Sequence, residues 1–163
     1  MTSTEIVGSA PGIASAGGVE VRFTPSSLDV LTELLLDAGR RRVFDALLHM
    51  GAWWPDRSRA GATVVLEPRV GGLFFESGDD GCGTLLGRVA RLLMPEEFAI
   101  EGSFGLDQPV CALWTVRVDA TGPQATTLRG RYRAFGAFDD TVRAEVAAAW
   151  KARYAALVHY LAA

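Results

Sequence analysis

The sequence is poor in the residues that most often bind metals or form disulfides. Its 163 residues include two cysteines, Cys82 and Cys111, and two histidines, His49 and His159. None of the four lies at the close spacing that a zinc site requires. We therefore expect a reduced, cytoplasmic protein with no metal and no cofactor, although the sequence leaves a Cys82–Cys111 disulfide open.

Positive charge is also scarce, and one basic residue type is almost missing. Fifteen of the 16 basic residues are arginine and one is Lys151, against 19 acidic residues, which gives a net charge of −3. Nucleic-acid binding by bulk electrostatics needs a basic excess, so we expect no nucleic-acid partner. No apolar run approaches the roughly 18–20 residues of a membrane span, so we expect no membrane partner. The preference for Arg over Lys, with abundant Ala and Gly, indicates a bacterial source.

The remaining composition is that of an ordinary globular domain, with 49% hydrophobic and 21% charged residues. Residues 1–28 differ because they are rich in Ser, Thr, Gly and Pro, which predicts a flexible leader. Within them, residues 19–23 alternate weakly and could dock as an edge strand. The domain itself is predicted to span residues 29–163.

Apolar patterning predicts an antiparallel meander closed by a long helix. A first strand over residues 29–36 leads into a short helix over residues 39–48, with Asp37 as its N-cap. A long helix is predicted over residues 140–161, with Asp139 or Asp140 as its N-cap. Short strand-like runs separated by Gly, Pro and acidic turns fill the interval. These runs are 63–67, 73–76, 83–92, 98–104, 111–119 and 126–135.

Alternation along the strands predicts one apolar and one polar face. Trp114 and Tyr132 fall on the apolar face, whereas a row of arginines, Arg129, Arg131 and Arg133, falls on the polar one. The row is interpreted as a solvated face with acidic neighbours such as Glu33. In the last helix an apolar stripe includes Val146, Trp150, Tyr154, Leu157 and Leu161, while Arg153 is placed off the stripe. The interior is therefore expected to be almost free of charge.

These elements resemble the START-like helix-grip (SRPBCC) superfamily, and within it the domain named after activators of the Hsp90 ATPase. The matching pieces are residues 43–47 (VFDAL), Trp53-Trp54, residues 67–72 (EPRVGG), residues 87–89 (GRV) and Trp150. The resemblance covers roughly residues 29–163. It implies an α+β helix-grip fold, in which a curved antiparallel sheet of about seven strands wraps around the long C-terminal helix. A short helical segment follows the first strand.

Aromatic side chains are the candidate ligand-binding residues, because the resembled fold encloses a cavity between its sheet and its helix. Two alternatives stay open, a ligand cavity lined by these rings and a core that the rings fill completely. The Trp53-Trp54 pair could likewise form the roof of a cavity or plug the end of the core. The candidates are Trp53, Trp54, Phe75, Phe98, Trp114, Tyr132, Trp150 and Tyr154.

The expected function is the binding of a small hydrophobic or aromatic molecule between sheet and helix. No catalytic residue is predicted, because no nucleophile with a neighbouring base and no carboxylate pair emerges from the sequence. The resemblance implies two alternatives, an enzyme of the polyketide cyclase or aromatase kind and a chaperone-associated interaction module. The sequence also leaves a homodimer open.

Overall fold

A computed structural model describes residues 26–163, which form a seven-stranded antiparallel sheet, two α-helices and a 3₁₀ turn. The helices are α1 (Arg40–Leu48) and α2 (Asp140–Ala162), with the 3₁₀ turn at Met50–Ala52. The strands are β1 (Ser26–Leu36), β2 (Thr63–Leu66), β3 (Leu73–Ser77), β4 (Gly83–Leu93), β5 (Glu97–Glu101), β6 (Val110–Gly122) and β7 (Ala125–Gly136).

The sheet runs in the order β1-β7-β6-β5-β4-β3-β2, so β2 to β7 form a meander and β1 pairs with the last strand. Register shifts in the β3–β4, β4–β5 and β6–β7 pairs mark irregularities of the kind that bend a sheet. Side chains from β3, β5, β6 and β7 consequently reach one aromatic cluster around α2. The predicted α+β architecture is confirmed.

Element boundaries differ from the predictions at several places. β1 begins at Ser26, three residues before the expected boundary at residue 29, and the rest of the predicted leader, residues 1–25, lies outside the described residues. The strand expected over residues 98–104 ends at Glu101, because Phe104 and Gly105 take positive φ values of 53° and 83° and turn the chain.

The N-cap of the first helix is a further correction. Gly39, not Asp37, is the N-cap residue of α1, and it provides no side-chain hydrogen bond. Asp139 does cap α2, where its carboxylate accepts a hydrogen bond from the backbone N–H of Val142 at 2.8 Å. This bond satisfies one of the free N–H groups at the start of the helix that covers the sheet.

The outer face of the sheet carries the predicted arginine row, and its acidic neighbours are confirmed. Arg129 pairs with Glu33 at 2.8 Å and with Asp119 at 2.7 Å. Arg131 pairs with Asp29 at 2.6 Å, and this hydrogen bond lowers the pKa of the Asp29 carboxyl. These groups are exposed to solvent, apart from the half-buried Asp119, so each pair adds little to stability.

Three simpler features complete the described fold. Cys82 and Cys111 are both exposed, and neither forms a disulfide. Neither α-helix has the length and apolar character needed to cross a membrane. No group of three His, Cys, Asp or Glu side chains within residues 26–163 is arranged to hold a metal ion.

Candidate functional site: an aromatic cleft beside the last helix

Aromatic rings fill the space between α2 and the sheet. The Trp150 ring lies 4.9 Å from that of Trp114 and 4.8 Å from that of Tyr132, measured between centroids. The Trp54 ring stands edge-on to Phe74, at 5.0 Å. All five residues are at most 2% exposed. Of the two alternatives left open by the sequence, these five buried rings match the filled core and not a ligand cavity.

Tyr154 and Trp114 form a buried polar pair inside this core. The Trp114 indole N–H donates to the Tyr154 hydroxyl at 2.9 Å. The hydroxyl lies over Gly130, where a β-carbon would come within 1.7 Å of it, so the glycine provides the necessary space. Burial raises the pKa of Tyr154 to about 12, against the opposing effect of the bond from Trp114. The pair holds the core together and lies away from the cleft described next.

A cleft of about 570 Å³ opens at the side of the aromatic core. Such a volume falls within the range of small-molecule sites. Its walls come from α2 as far as Arg153, the segment after Trp54, β7 at Tyr132, the ends of β3 and β4, and the loop around Phe104. Its aromatic wall is formed by Trp54, Phe104, Tyr132 and Trp150.

The eight candidate residues therefore separate into three groups. Trp54, Tyr132 and Trp150 line the cleft. Phe98, Trp114, Tyr154 and Trp53 are buried in the core without lining it. Phe75 belongs to neither group. Trp53 has a structural contact of its own, because its indole N–H donates to the carbonyl of Ala46 in α1 at 2.7 Å.

Phe75 lies on the wrong face of β3 for the predicted role. Phe74 and Glu76 are buried, whereas Phe75 between them is half-buried and outside the core cluster. Leu73 and Phe75 look like the inward pair because both are apolar, but the true inward pair combines a phenylalanine with a carboxylate. A register irregularity between Phe74 and Phe75 accompanies this arrangement.

Arg153 is buried, which corrects its predicted place off the apolar stripe of α2. Only 7% of the residue is exposed. Its Nε donates to Asp56 Oδ2 at 2.6 Å, and its Cζ lies 4.6 Å from the ring centroids of both Trp54 and Trp150. The aromatic faces and the carboxylate together stabilise the guanidinium in this position.

Glu76 is a second buried charged residue that the apolar pattern of the sequence does not reveal. It is 4% exposed and lines the cleft. Its Oε1 accepts hydrogen bonds from the Ser58 backbone N–H at 2.7 Å and from the Ser58 hydroxyl at 2.9 Å. With Arg153, it overturns the expectation of an interior almost free of charge.

Tyr132 adds a phenol to the same cleft. Burial raises its pKa to about 12, and the positive charge of Arg153 acts in the opposite direction. The hydroxyl is therefore protonated near neutral pH and can donate a hydrogen bond to a bound molecule. The neighbouring Trp150 indole N–H is buried and has no hydrogen-bond partner among residues 26–163.

Helical spacing contains a signal for Arg153 that the apolar stripe concealed. Residue 153 follows Val146 by seven positions and Trp150 by three, so it lies on the same helix face. Glu76 follows the buried Phe74 by two positions in a strand, which likewise places both on one face. Polar residues at inward positions were the available signal in both cases.

Comparison with known proteins identifies solved structures with a similar fold. No protein-family model and no curated protein matches the sequence. An uncharacterised Rhizobium leguminosarum protein is similar in structure, with a TM-score of 0.66, 17% identity, and coverage of 85% of this chain and 96% of its own.

Two further solved structures extend the comparison. CalU16 from Micromonospora echinospora has a TM-score of 0.59 and 14% identity, and 85% of each chain is covered. Norcoclaurine synthase from Thalictrum flavum, as a point mutant with a transition-state analogue, has a TM-score of 0.56 and 13% identity. The match covers 86% of this chain and 97% of the synthase. Together with the sheet order and the long last helix, these likenesses show that the chain has a helix-grip fold.

Proposed function

We propose that the protein binds a small aromatic or other hydrophobic molecule in the cleft beside α2. The observation that carries this proposal is the wall of four aromatic residues, Trp54, Phe104, Tyr132 and Trp150, around a space of about 570 Å³. The solved structure of norcoclaurine synthase with a transition-state analogue supports it, because that protein has a similar fold and holds a small molecule.

The physical driving force is burial of apolar ligand surface against rings that are already fixed. Transfer of apolar surface out of water contributes roughly 25 cal/mol per Å², before the costs of association are subtracted. The rings are held in place by their contacts with one another, such as that between Phe104 and Tyr132 at 5.4 Å. A fixed wall loses little conformational entropy when a ligand binds.

A calorimetric titration with neutral aromatic probes tests the proposal. The matched pair of variants is Ala149→Trp, which fills the cleft from α2, and Ala148→Trp, which adds the same side chain on the exposed side of that helix. We expect Ala149→Trp to abolish binding and Ala148→Trp to retain it. Equal binding by both variants would place the ligand elsewhere and overturn the proposal.

A cyclase-type enzyme is the second candidate, and convergence of polar groups on the cleft favours it. Three polar groups line the cleft: the phenol of Tyr132, the carboxylate of Glu76 and the guanidinium of Arg153. Groups of this kind could orient a flexible substrate and move protons. The test is incubation with a linear poly-β-ketone, in which Tyr132→Phe should slow the appearance of aromatic product absorbance. Absence of product with the wild-type protein would exclude this candidate.

We also propose a narrower likeness to the domain of Hsp90 ATPase activators. It depends on sequence pieces such as residues 67–72, and the chaperone-associated alternative depends on it in turn. A pull-down of purified Hsp90 by the full chain would support that alternative, and its failure would remove it.

A further inference from the structure

The charges that line the cleft do not balance. Asp56, Arg57, Glu76, Asp107, Glu145 and Arg153 are the charged lining residues. Four are acidic and two are basic, so the lining has a net charge of −2. A site with this excess attracts cations and repels anions.

Both basic side chains are already engaged by the protein itself. Arg153 is paired with Asp56 at 2.6 Å and lies over two indole rings. Arg57 donates to the backbone carbonyls of Trp54, Asp56 and Gly51. Apart from the Arg153–Asp56 pair, the lining carboxylates are Glu76 inside the cleft and Glu145 and Asp107 at its exposed rim, against the single positive charge of Arg57.

Glu76 is the member of this excess that a ligand would contact most directly. It is 4% exposed, and within residues 26–163 no arginine, lysine or histidine lies within salt-bridge distance of it. Its hydrogen bonds from Ser58 both end on Oε1. The second oxygen, Oε2, receives no hydrogen bond from residues 26–163 and could accept one from a molecule in the cleft. A buried carboxylate with no counter-ion among the described residues is costly, and a cationic ligand would remove that cost.

We propose that the natural ligand is an organic cation, a protonated amine attached to an aromatic or other apolar body. The ammonium group donates to Glu76 Oε2, and the body packs against Trp54, Phe104 and Tyr132. This inference rests on the proposed function, since it names the chemical class bound in the same cleft.

The test is calorimetric titration of the full chain at neutral pH with three probes of similar size. The probes are 2-phenylethylamine, 2-phenylethanol and 3-phenylpropionate, which differ in charge but share the phenyl body. We expect the amine to bind at least about tenfold tighter than the alcohol, a difference of ~1.4 kcal/mol. The carboxylate should bind most weakly.

A pair of matched variants assigns the preference to one side chain. Glu76→Gln removes the charge and keeps an oxygen for Ser58, whereas Glu101→Gln removes an exposed charge outside the cleft. In Glu76→Gln the amine and the alcohol should bind within about twofold of each other, with the alcohol unchanged. Glu101→Gln should keep the wild-type preference.

The outcomes separate this inference from the proposal on which it rests. Equal binding of amine and alcohol by the wild-type protein would overturn the cationic ligand alone, and tightest binding of the carboxylate would instead make Arg153 the anchor. An undiminished amine preference in Glu76→Gln would overturn the role of Glu76. Binding of no probe would overturn the proposed function together with this inference. The wild-type ranking decides even if Glu76→Gln does not fold.

Discussion

Glu76 lines the cleft, and burial of its carboxylate lowers the stability of the fold. A destabilising group in a cleft is expected where a protein keeps that group for binding. The side chain is 4% exposed and has no cationic partner in the described part of the chain. Replacement by Gln keeps the hydrogen-bonding oxygen and removes the desolvated charge. We predict that Glu76→Gln raises the free energy of unfolding by about 1 kcal/mol. Urea denaturation measures this gain, and a decrease of similar size in the free energy of unfolding would contradict the prediction.

Gly130 and Tyr154 are matched in the core, and their substitutions should not be additive. A β-carbon at position 130 would lie 1.7 Å from the Tyr154 hydroxyl. We predict that Gly130→Ala costs about 3 kcal/mol of stability through overpacking. Tyr154→Phe should cost about 1–2 kcal/mol, because it leaves the buried Trp114 indole N–H without its partner.

The double variant, Gly130→Ala with Tyr154→Phe, tests the contact itself. Removing the hydroxyl relieves the closest clash of the added β-carbon, so the two single losses should sum to more than the loss in the double variant. Urea denaturation of all four proteins gives the coupling energy. Strict additivity would show that the clash is relieved by movement elsewhere and would contradict the predicted match.

Individual residues are predictable from the sequence only where the apolar pattern and the inward face agree. Trp114 and Tyr132 lie on the predicted face, because β7 alternates with arginines and β6 alternates between apolar and polar side chains from Trp114 to Val118. Phe75 and Arg153 do not, because the inward positions of β3 and α2 include a carboxylate and a guanidinium. The charges in the cleft are the features that a hydrophobic pattern hides.

At the scale of elements, α2 depends on its N-cap. The Asp139 carboxylate accepts from the Val142 backbone N–H at 2.8 Å, and it also lies at the positive end of the helix dipole. We predict that Asp139→Ala lowers the free energy of unfolding by about 1 kcal/mol, and that Asp139→Asn retains most of it. Thermal and urea denaturation of the two variants give the comparison, and equal losses would show that charge alone, not the hydrogen bond, is involved.

Elements are more predictable than their ends. The strands of the meander can be recognised because Gly, Pro and acidic residues interrupt the apolar runs, and local chain stiffness largely sets those breaks. The first helix shows the limit. Its N-cap is Gly39, whose β-carbon would lie 3.1 Å from the carbonyl oxygen of Pro123, a contact with the distant β6–β7 turn. A tertiary contact of this kind leaves no local signature.

At the scale of the whole molecule, the curved sheet places the filled core and the open cleft next to each other. Rings from β3, β6 and β7 meet those of α2 and of the segment after α1, and this contact consumes most of the interior. The enclosing fold is predictable from the sequence, because order and spacing of elements are chain-local properties. Which part of the interior stays open depends on side-chain volumes in β3, β4, β7, α2 and two connecting segments, so only the structure reveals the cleft.

Alkaline pH should destabilise the molecule through its buried phenols. Burial raises the pKa of Tyr154 and of Tyr132 from the ordinary 10.0 to about 12. Between about pH 10 and pH 12, both phenols stay protonated in the folded protein, whereas they ionise in the unfolded chain. Their contribution to the free energy of unfolding is therefore complete below pH 10 and is lost as the pH rises toward 12. Tyr154 alone accounts for ~2–3 kcal/mol of that loss.

The measurement is the free energy of unfolding in urea at about pH 9 and about pH 11.5, on either side of the ordinary tyrosine pKa. We predict a smaller loss between the two pH values for Tyr154→Phe than for the wild-type protein, because the variant lacks the phenol that is kept protonated. Tyr160→Phe, which changes an exposed tyrosine near the end of α2, should lose as much as the wild type. Identical losses in all three proteins would mean that other alkaline groups drive the unfolding and that the core tyrosines do not.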